Sequence, residues 1–224
     1  MKRFLFVSVF LCLIACQSQK EQAKTLVIQL GATDAARRAE ASKALVAIGT
    51  EAIDALIVGL TDDNPQVREM SAWTLSEIKK PAVRVVPALI TVLADPDENI
   101  RVAGSVILQS LGEPAVPYLI DALSAESSEI RLNAAYALGE IGAPLDTILP
   151  ALIRTLTDRE WNVRRLVVRA LVTIGTPAVD SLIQALHSSD PDLRRMSERA
   201  LNDIGTPKAR QAIADAKRKF SSDR

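Results

Sequence analysis

Histidine and cysteine, the side chains that most often serve as bases, nucleophiles and transition-metal ligands near neutral pH, are nearly absent from this chain, with one and two copies. His187 is the sole histidine, in a Ser/Asp-rich loop with no second imidazole or thiolate nearby in sequence, which is too few ligands for a zinc site of the usual nitrogen and sulfur kind. A serine nucleophile needs a positioned base, and His187 would be its sole imidazole candidate, with no orienting motif around it. The expectation is a chain with no catalytic residue, no metal and no cofactor. What recurs instead is arginine. Arg38, Arg68, Arg101, Arg131, Arg164 and Arg194 are separated by 30, 33, 30, 33 and 30 residues, and polar groups this regular argue for structure in a repeat array.

The elements that position these arginines follow from the residues around them. Seven places after each stands a leucine (Leu45, Leu75, Leu108, Leu138, Leu171, Leu201) and ten after it an Ile or Leu. In five copies a glycine comes next, at Gly49, Gly112, Gly142, Gly175 and Gly205. Small or apolar residues between, such as Ala134, Ala135 and Ala137, complete one face of a 3.6-period helix ended by glycine; this is helix B. Eight residues before each arginine a leucine closes a second apolar run, from TLVIQL at Leu30 to SLIQAL at Leu186; this is helix A. Asn64-Pro65, Asp95-Pro96 and Asp190-Pro191 between them read as Asx caps with proline at the first helical position. Each repeat is thus a helical hairpin that cannot bury its apolar stripe alone, so neighbours must stack. The third and fifth copies carry three extra residues (KKPAVRVVPALI and GAPLDTILPALI), which predicts one added turn there.

The joined pattern, D-x-x-x-V-R-x-x-A-A-x-A-L-x-x-I-G followed by P-A-V-x-x-L-I-x-A-L, resembles the short HEAT-like repeats named after phycobilisome lyases. The resemblance covers nearly all of the chain after residue 24 and implies an all-α, right-handed α-solenoid of about six hairpins with a C-terminal capping helix. The period is shorter than the usual HEAT length, and the ankyrin and TPR signatures are absent. The resemblance also implies that the arginines meet loop acids of adjacent repeats, for which Asp62, Asp95, Asp158 and Asp190 are placed; the fourth copy has Ala125 there, with Glu126 beside it. Neither bilin-lyase nor di-iron hydroxylase activity comes with it, since packing residues carry no bilin site and the repeated His-Glu pairs are missing. A fold does not imply a function.

Read in order, the chain opens MKRFLFVSVFLCLIAC: two basic residues, an apolar run from Phe4 to Ile14, then Ala15 before Cys16. The run is shorter than the roughly 20 residues of a spanning helix and fits a secretory signal over residues 1–15. Leu13-Ile14-Ala15-Cys16 resembles the bacterial lipobox, which makes Cys16 the acylated mature N-terminus. Two or three acyl chains anchor stably where one is marginal, so the expectation is an envelope protein on a membrane, at the outer membrane or the periplasmic face of the inner one. Cys12 would leave with the signal, so the mature chain has no disulfide. Loss of Lys2 and Arg3 leaves 25 basic against 27 acidic residues, no electrostatic footprint for nucleic acid. Residues 17–23, after Cys16, read as a short polar tether; the QSQKEQAK stretch through Lys24, extended, would span at most about 29 Å at 3.6 Å per residue. Repeats then run from about 24–49, 50–78, 79–111, 112–141, 142–174 and 175–204, with a cap at 205–220. Its basic cluster, Lys208, Arg210, Lys217, Arg218 and Lys219, reads as the polar face a terminal cap requires. Trp161, three residues before Arg164, reads as a plug at the edge of the stack.

The positions that the repeat leaves open carry the functional expectation. Places one, two and five after each arginine point away from the core stripe at about 100 degrees per residue. On a solvated face they would be Lys, Glu and Gln. Here they include Met70, Trp73, Val102, Val106, Leu132 and Tyr136 through the middle copies, beside Glu69 and Asn133, then Arg165, Arg169, Arg195 and Arg199 in the last two, beside Leu166 and Met196. In HEAT-type solenoids this helix lines the concave surface. Trp, Tyr and Arg dominate interface hot spots, so one reading is a groove for a protein partner, with an aromatic patch beside an arginine cluster. The competing reading is that curvature buries these residues against neighbouring B helices. A small amphipathic ligand, a lipid or pigment, is the alternative occupant.

Overall fold

The computed structural model describes residues 17–78 and 82–222, which are helical apart from short turns and contain no strand. Residues 1–16, on which the expected signal and the expected acylated Cys16 fall, lie outside the described residues, as does Pro81. The chain divides into two compact units, Met1–Leu108 and Gln109–Arg224. Each is a two-layer stack of helical hairpins.

In the first unit, α1 (17–29) is followed by α2 (Ala35–Ile48), α3 (Ile53–Gly59), α4 (Pro65–Ile78), α5 (Ala82–Thr91) and α6 (Glu98–Leu111), whose last residues pass into the second unit. The B helices α2 and α4 pack side by side, α3 packs on both α4 and α5, and α4 meets α5. Helix α1 does not begin at residue 24. Residues 17–24, expected as an extended tether, are helical and continuous with it, and Ala23, Val27 and Leu30 are buried. Ala23 is the one buried residue of 17–24; residues 17–22 are polar and exposed, and their helix extends the one anchored by Ala23, Val27 and Leu30.

The second unit holds α7 (Val116–Ala122), α8 (Ser128–Ile141), α9 (Leu145–Thr155), α10 (Trp161–Ile174), α11 (Val179–Ala185), α12 (Pro191–Ile204) and α13 (Pro207–Ser222). Here both layers are complete: α8, α10 and α12 stack as the B layer, and α7, α9 and α11 as the A layer. The approach of α8 to α10 depends on Gly139, where a Cβ would stand 2.6 Å from Ala170 Cα. Helix α13 closes the stack against α11 and α12, burying Ala209, Ile213 and Ala216. Much of its basic cluster is used within the fold, with Lys208 paired to Asp180, Lys217 to Glu198 and Arg218 to Asp215.

The core follows the repeat. All six leucines seven places after the arginines have no exposed surface, and the six that close the A helices are buried. The positions ten places on are half-buried. Expected caps form at Asn64, which accepts from the N–H of Gln66 at 3.0 Å, and at Asp190, which accepts from Asp192 at 2.8 Å. Asp95 is not a cap: α6 starts three residues later and Asp97 takes that role, accepting from Asn99 at 2.8 Å.

The three extra residues lengthen the A helix. A 3-10 turn and a seven-residue α-helix stand in the second, fourth and sixth copies, against α-helices of 10 and 11 residues in the third and fifth. The glycine before each A helix sorts the same way. Gly175, which leads into a 3-10 turn, has φ 74 and ψ −134, whereas Gly142, ahead of the long α9, sits in the left-handed helical well at φ 63 and ψ 6.

Candidate functional site

The arginine ladder sets the frame for the outward face. The turn between helix A and helix B leaves backbone carbonyls that no regular element pairs, and each ladder arginine donates to them. Through Nη1 every one of the six donates to the two carbonyls lying six and five residues upstream, from Ala32 and Thr33 for Arg38 to Ser188 and Ser189 for Arg194. The turn of each hairpin is thereby tied to its own B helix.

Cross-repeat pairing is more selective than expected. Arg68 donates to Asp95 from Nε at 2.8 Å and from Nη2 at 3.0 Å. Arg131 holds Asp158 the same way, at 2.7 and 2.9 Å. Asp95 and Arg131 are buried, and their partners Arg68 and Asp158 are partly so. These are the two steps of 33 residues. Across the 30-residue step from Arg38, the Asp62 carboxylate accepts instead from the N–H of Asn64 at 2.8 Å, and Asp190 is occupied as a cap; neither forms the expected rung. Burial pushes the Asp158 carboxyl up, but the hydrogen bonds from Arg131 and from the Glu160 N–H, with the Arg131 and Arg159 charges, outweigh it and hold the group below its ordinary range. Asp95 is lowered by the same balance, between burial on one side and Arg68, the Asp97 N–H and Arg101 on the other.

With the ladder arginines turned to the hairpin edge, the next residues around each B helix face outward. In the first unit Trp73 is 38% exposed, Val102 56% and Val106 41%, with Met70 half-buried. Single exposed apolar side chains are ordinary, but these occupy the register positions that a solvated helix fills with charge. In the second unit Leu132 and Tyr136 are half-buried and Arg165, Arg169, Arg195 and Arg199 are exposed. Curvature therefore does not bury the face. It does take Met196, which is 4% exposed although its place in the repeat points outward.

Trp161 does not plug the stack. It is the first residue of α10 and is 50% exposed, with the Arg165 guanidinium 5.4 Å from its ring centre. Arg169 lies 5.9 Å from the Tyr136 ring on α8. Trp161 thus joins the face and was missed as a member of it. The available signal was its place four residues before Arg165, a spacing that puts two side chains together on one helix. Of the four arginines, Arg195 pairs with Asp192; no carboxylate of the described residues pairs with Arg165, Arg169 or Arg199. His187 is exposed, and among the described residues no three His, Cys, Asp or Glu side chains are grouped to hold a metal.

Comparison with known proteins matches this repeat. The family model described as HEAT repeats matches residues 23–105, 86–149 and 149–223. A HEAT repeat-containing taxis protein of Halobacterium salinarum is 27% identical over 136 residues, 52% of this chain and 33% of the relative. The chain therefore spans about a third of that relative's length. Among solved structures, an engineered protein is 23% identical with a TM-score of 0.38, covering 81% of this chain and 96% of its own. A designed armadillo repeat protein is 19% identical with a TM-score of 0.37, covering 81% and 99%.

Proposed function

The chain belongs to the HEAT-repeat family, and from that premise we propose that it binds a protein partner on the outward face of its B helices, as a scaffold or adaptor without turnover. The observation that carries this reading is the exposure of Trp73, Val102 and Val106 at positions the repeat does not need for packing. Tryptophan is among the residue types that dominate interface hot spots, and exposed apolar side chains grouped together mark interaction surfaces. In the same proposal the repeats are of the short phycobilisome-lyase style, on their 30- and 33-residue steps, and Cys16 carries acyl chains that hold the protein on a bacterial envelope membrane.

The test is crosslinking in cells with a photoreactive residue in place of Trp73 and a control at Thr91, which is exposed on the A layer. A discrete protein band from position 73 alone supports the reading, and equal bands from both positions, or none, remove it. For the anchor, metabolic labelling with an alkyne fatty acid should mark the wild type and not Cys16→Ala; label retained in the variant excludes Cys16 as the acylated residue.

A second reading has its own observation. A cleft of about 300 Å³ between α1 and α3 is lined by Val27, Ile28, Ala55 and Val58, with Ile28 74% and Val58 71% exposed. In a carrier of a small amphipathic ligand this cleft, rather than the B-helix face, is the seat. Native mass spectrometry of the purified chain distinguishes the two: bound small mass favours the carrier.

A further inference from the structure

We propose that the arginine–aromatic face of the second unit takes an acidic protein segment that also carries aromatic or long apolar side chains. This rests on the B-helix reading above and names the chemistry of its partner.

Helix α10 carries Arg164, Arg165 and Arg169 and no acidic residue, in a chain whose formal charge is zero. Arg164 is committed to the carbonyls of its own turn. Arg165 and Arg169 are not: the guanidinium carbon of each lies over a ring, 5.4 Å from the centre of Trp161 and 5.9 Å from that of Tyr136. Neither is paired with a carboxylate of the described residues, and a guanidinium fork matches a carboxylate bidentately. A cation–π contact also restrains a flexible side chain in advance, which lowers the entropy lost on binding.

The two arginines leave α10 about 6 Å apart along its axis, Arg165 lying over Trp161 on the same helix and Arg169 over Tyr136 on α8. Two acids on one short segment are therefore the matching charge pattern. Arg199, at the matching place on the neighbouring α12, adds a third donor with no carboxylate of the described residues on it. The exposed side of Trp161 and the half-buried Leu132 offer the apolar contact beside them.

A polyanion is a poorer match than a short acidic segment. Phosphate backbones are tracked by long basic stripes, whereas here α12 interleaves Asp192, Glu198 and Asp203 with its arginines. The basic residues of α13 do not extend the patch, because Lys208, Lys217 and Arg218 are paired within the fold.

The experiment uses the full chain in non-ionic detergent and a fluorescein-labelled random copolymer of glutamate and tyrosine, followed by anisotropy. Polylysine, a single-stranded oligonucleotide and phosphatidylglycerol vesicles are run beside it. The copolymer should bind, and Arg165→Glu with Arg169→Glu should weaken it by about tenfold or more, as expected for losing two charge-assisted contacts. Arg154→Glu, exposed on α9, should stay within about twofold, as a surface change away from the contact. Trp161→Ala should weaken binding several-fold although no charge changes. Thermal unfolding of each variant checks that the fold is intact. No copolymer binding, indifference to the double reversal, or tighter binding of the oligonucleotide or vesicles through the same arginines overturns the proposal. If the copolymer fails while position 73 still captures a protein, the acidic-segment assignment falls and the B-helix reading stands. If the copolymer binds through the arginines while position 73 captures nothing, the part of that reading carried by Trp73 falls instead.

Discussion

Arg164 and Arg165 are neighbours on α10, and they belong to two different regions of the second unit. Arg164 turns to the hairpin edge and donates into the carbonyls of Asp158 and Arg159, while Arg165 stands in solvent over Trp161. One residue is a rotation of about 100 degrees on a helix, and that rotation separates a residue that holds the repeat together from one that the repeat does not need. The ladder region is the same in every copy because the problem it solves, unpaired carbonyls in the turn between helix A and helix B, is the same in every copy. The outward region varies because packing makes no demand on it. Its composition is therefore where selection for a partner can be written.

The strongest test of this contrast is Arg131→Met, which removes the two-point donor from the Asp158 carboxylate, leaving it the Glu160 N–H, and one donor each from the Ala125 and Glu126 carbonyls. Breaking a buried pair from one side costs about 3–5 kcal/mol, or roughly 2–4 °C per kcal/mol in the unfolding midpoint for a chain this size. Arg164→Met removes carbonyl bonds only and should lose clearly less; equal losses in calorimetry would mean that the carboxylate rung adds nothing.

Next in size is the pair of glycines. Asparagine tolerates the left-handed helical well but not the φ 74, ψ −134 of Gly175. Gly175→Asn should therefore lower stability by about 1–3 kcal/mol, and Gly142→Asn by only a few tenths. Similar denaturation midpoints for the two would contradict the division of the repeats into two kinds of A helix.

A smaller effect is expected on acidification. The Asp95 and Asp158 carboxyls are lowered in the folded state, so the stability they contribute is present above the ordinary aspartate value of about 3.9 and is lost as pH falls through the depressed folded values. Replacing both by Asn should flatten that acid limb of the unfolding curve, and an unchanged limb would place the acid sensitivity elsewhere. Smallest of all, the Arg165→Glu and Arg169→Glu pair should leave the midpoint within about 0.5 kcal/mol of wild type. A large loss there would put these arginines in the packing and erase the distinction between the two regions.

Much of this was legible beforehand. The register from each arginine to its leucine and glycine located the helices, the caps at Asn64 and Asp190, and the outward places that Trp73, Arg165 and Arg169 occupy. The cap misassigned to Asp95 is an error of register: Asn64 and Asp190 stand four residues before their arginines, whereas Asp95 stands six before Arg101 and Asp97 stands four. What the sequence did not show is that the Asp95 carboxylate, while accepting from the Asp97 N–H, is also held by Arg68 from 27 residues away. Trp161 was misplaced for a different reason, since an aromatic at the mouth of a turn packs inward or outward according to the tilt of the next hairpin.

What the sequence determined by itself, then, is the hairpin: its two helices, its buried leucines and the arginine that ties its turn, because these interactions are made within one repeat and recur in each. Only the tertiary structure decided how neighbouring hairpins meet. Rungs close on the 33-residue steps and not from Arg38 to Asp62, α1 reaches back to residue 17, and Arg169 finds Tyr136 on another helix. Those outcomes depend on the rotation between adjacent repeats, which is a sum over many packed contacts and is written in no single residue.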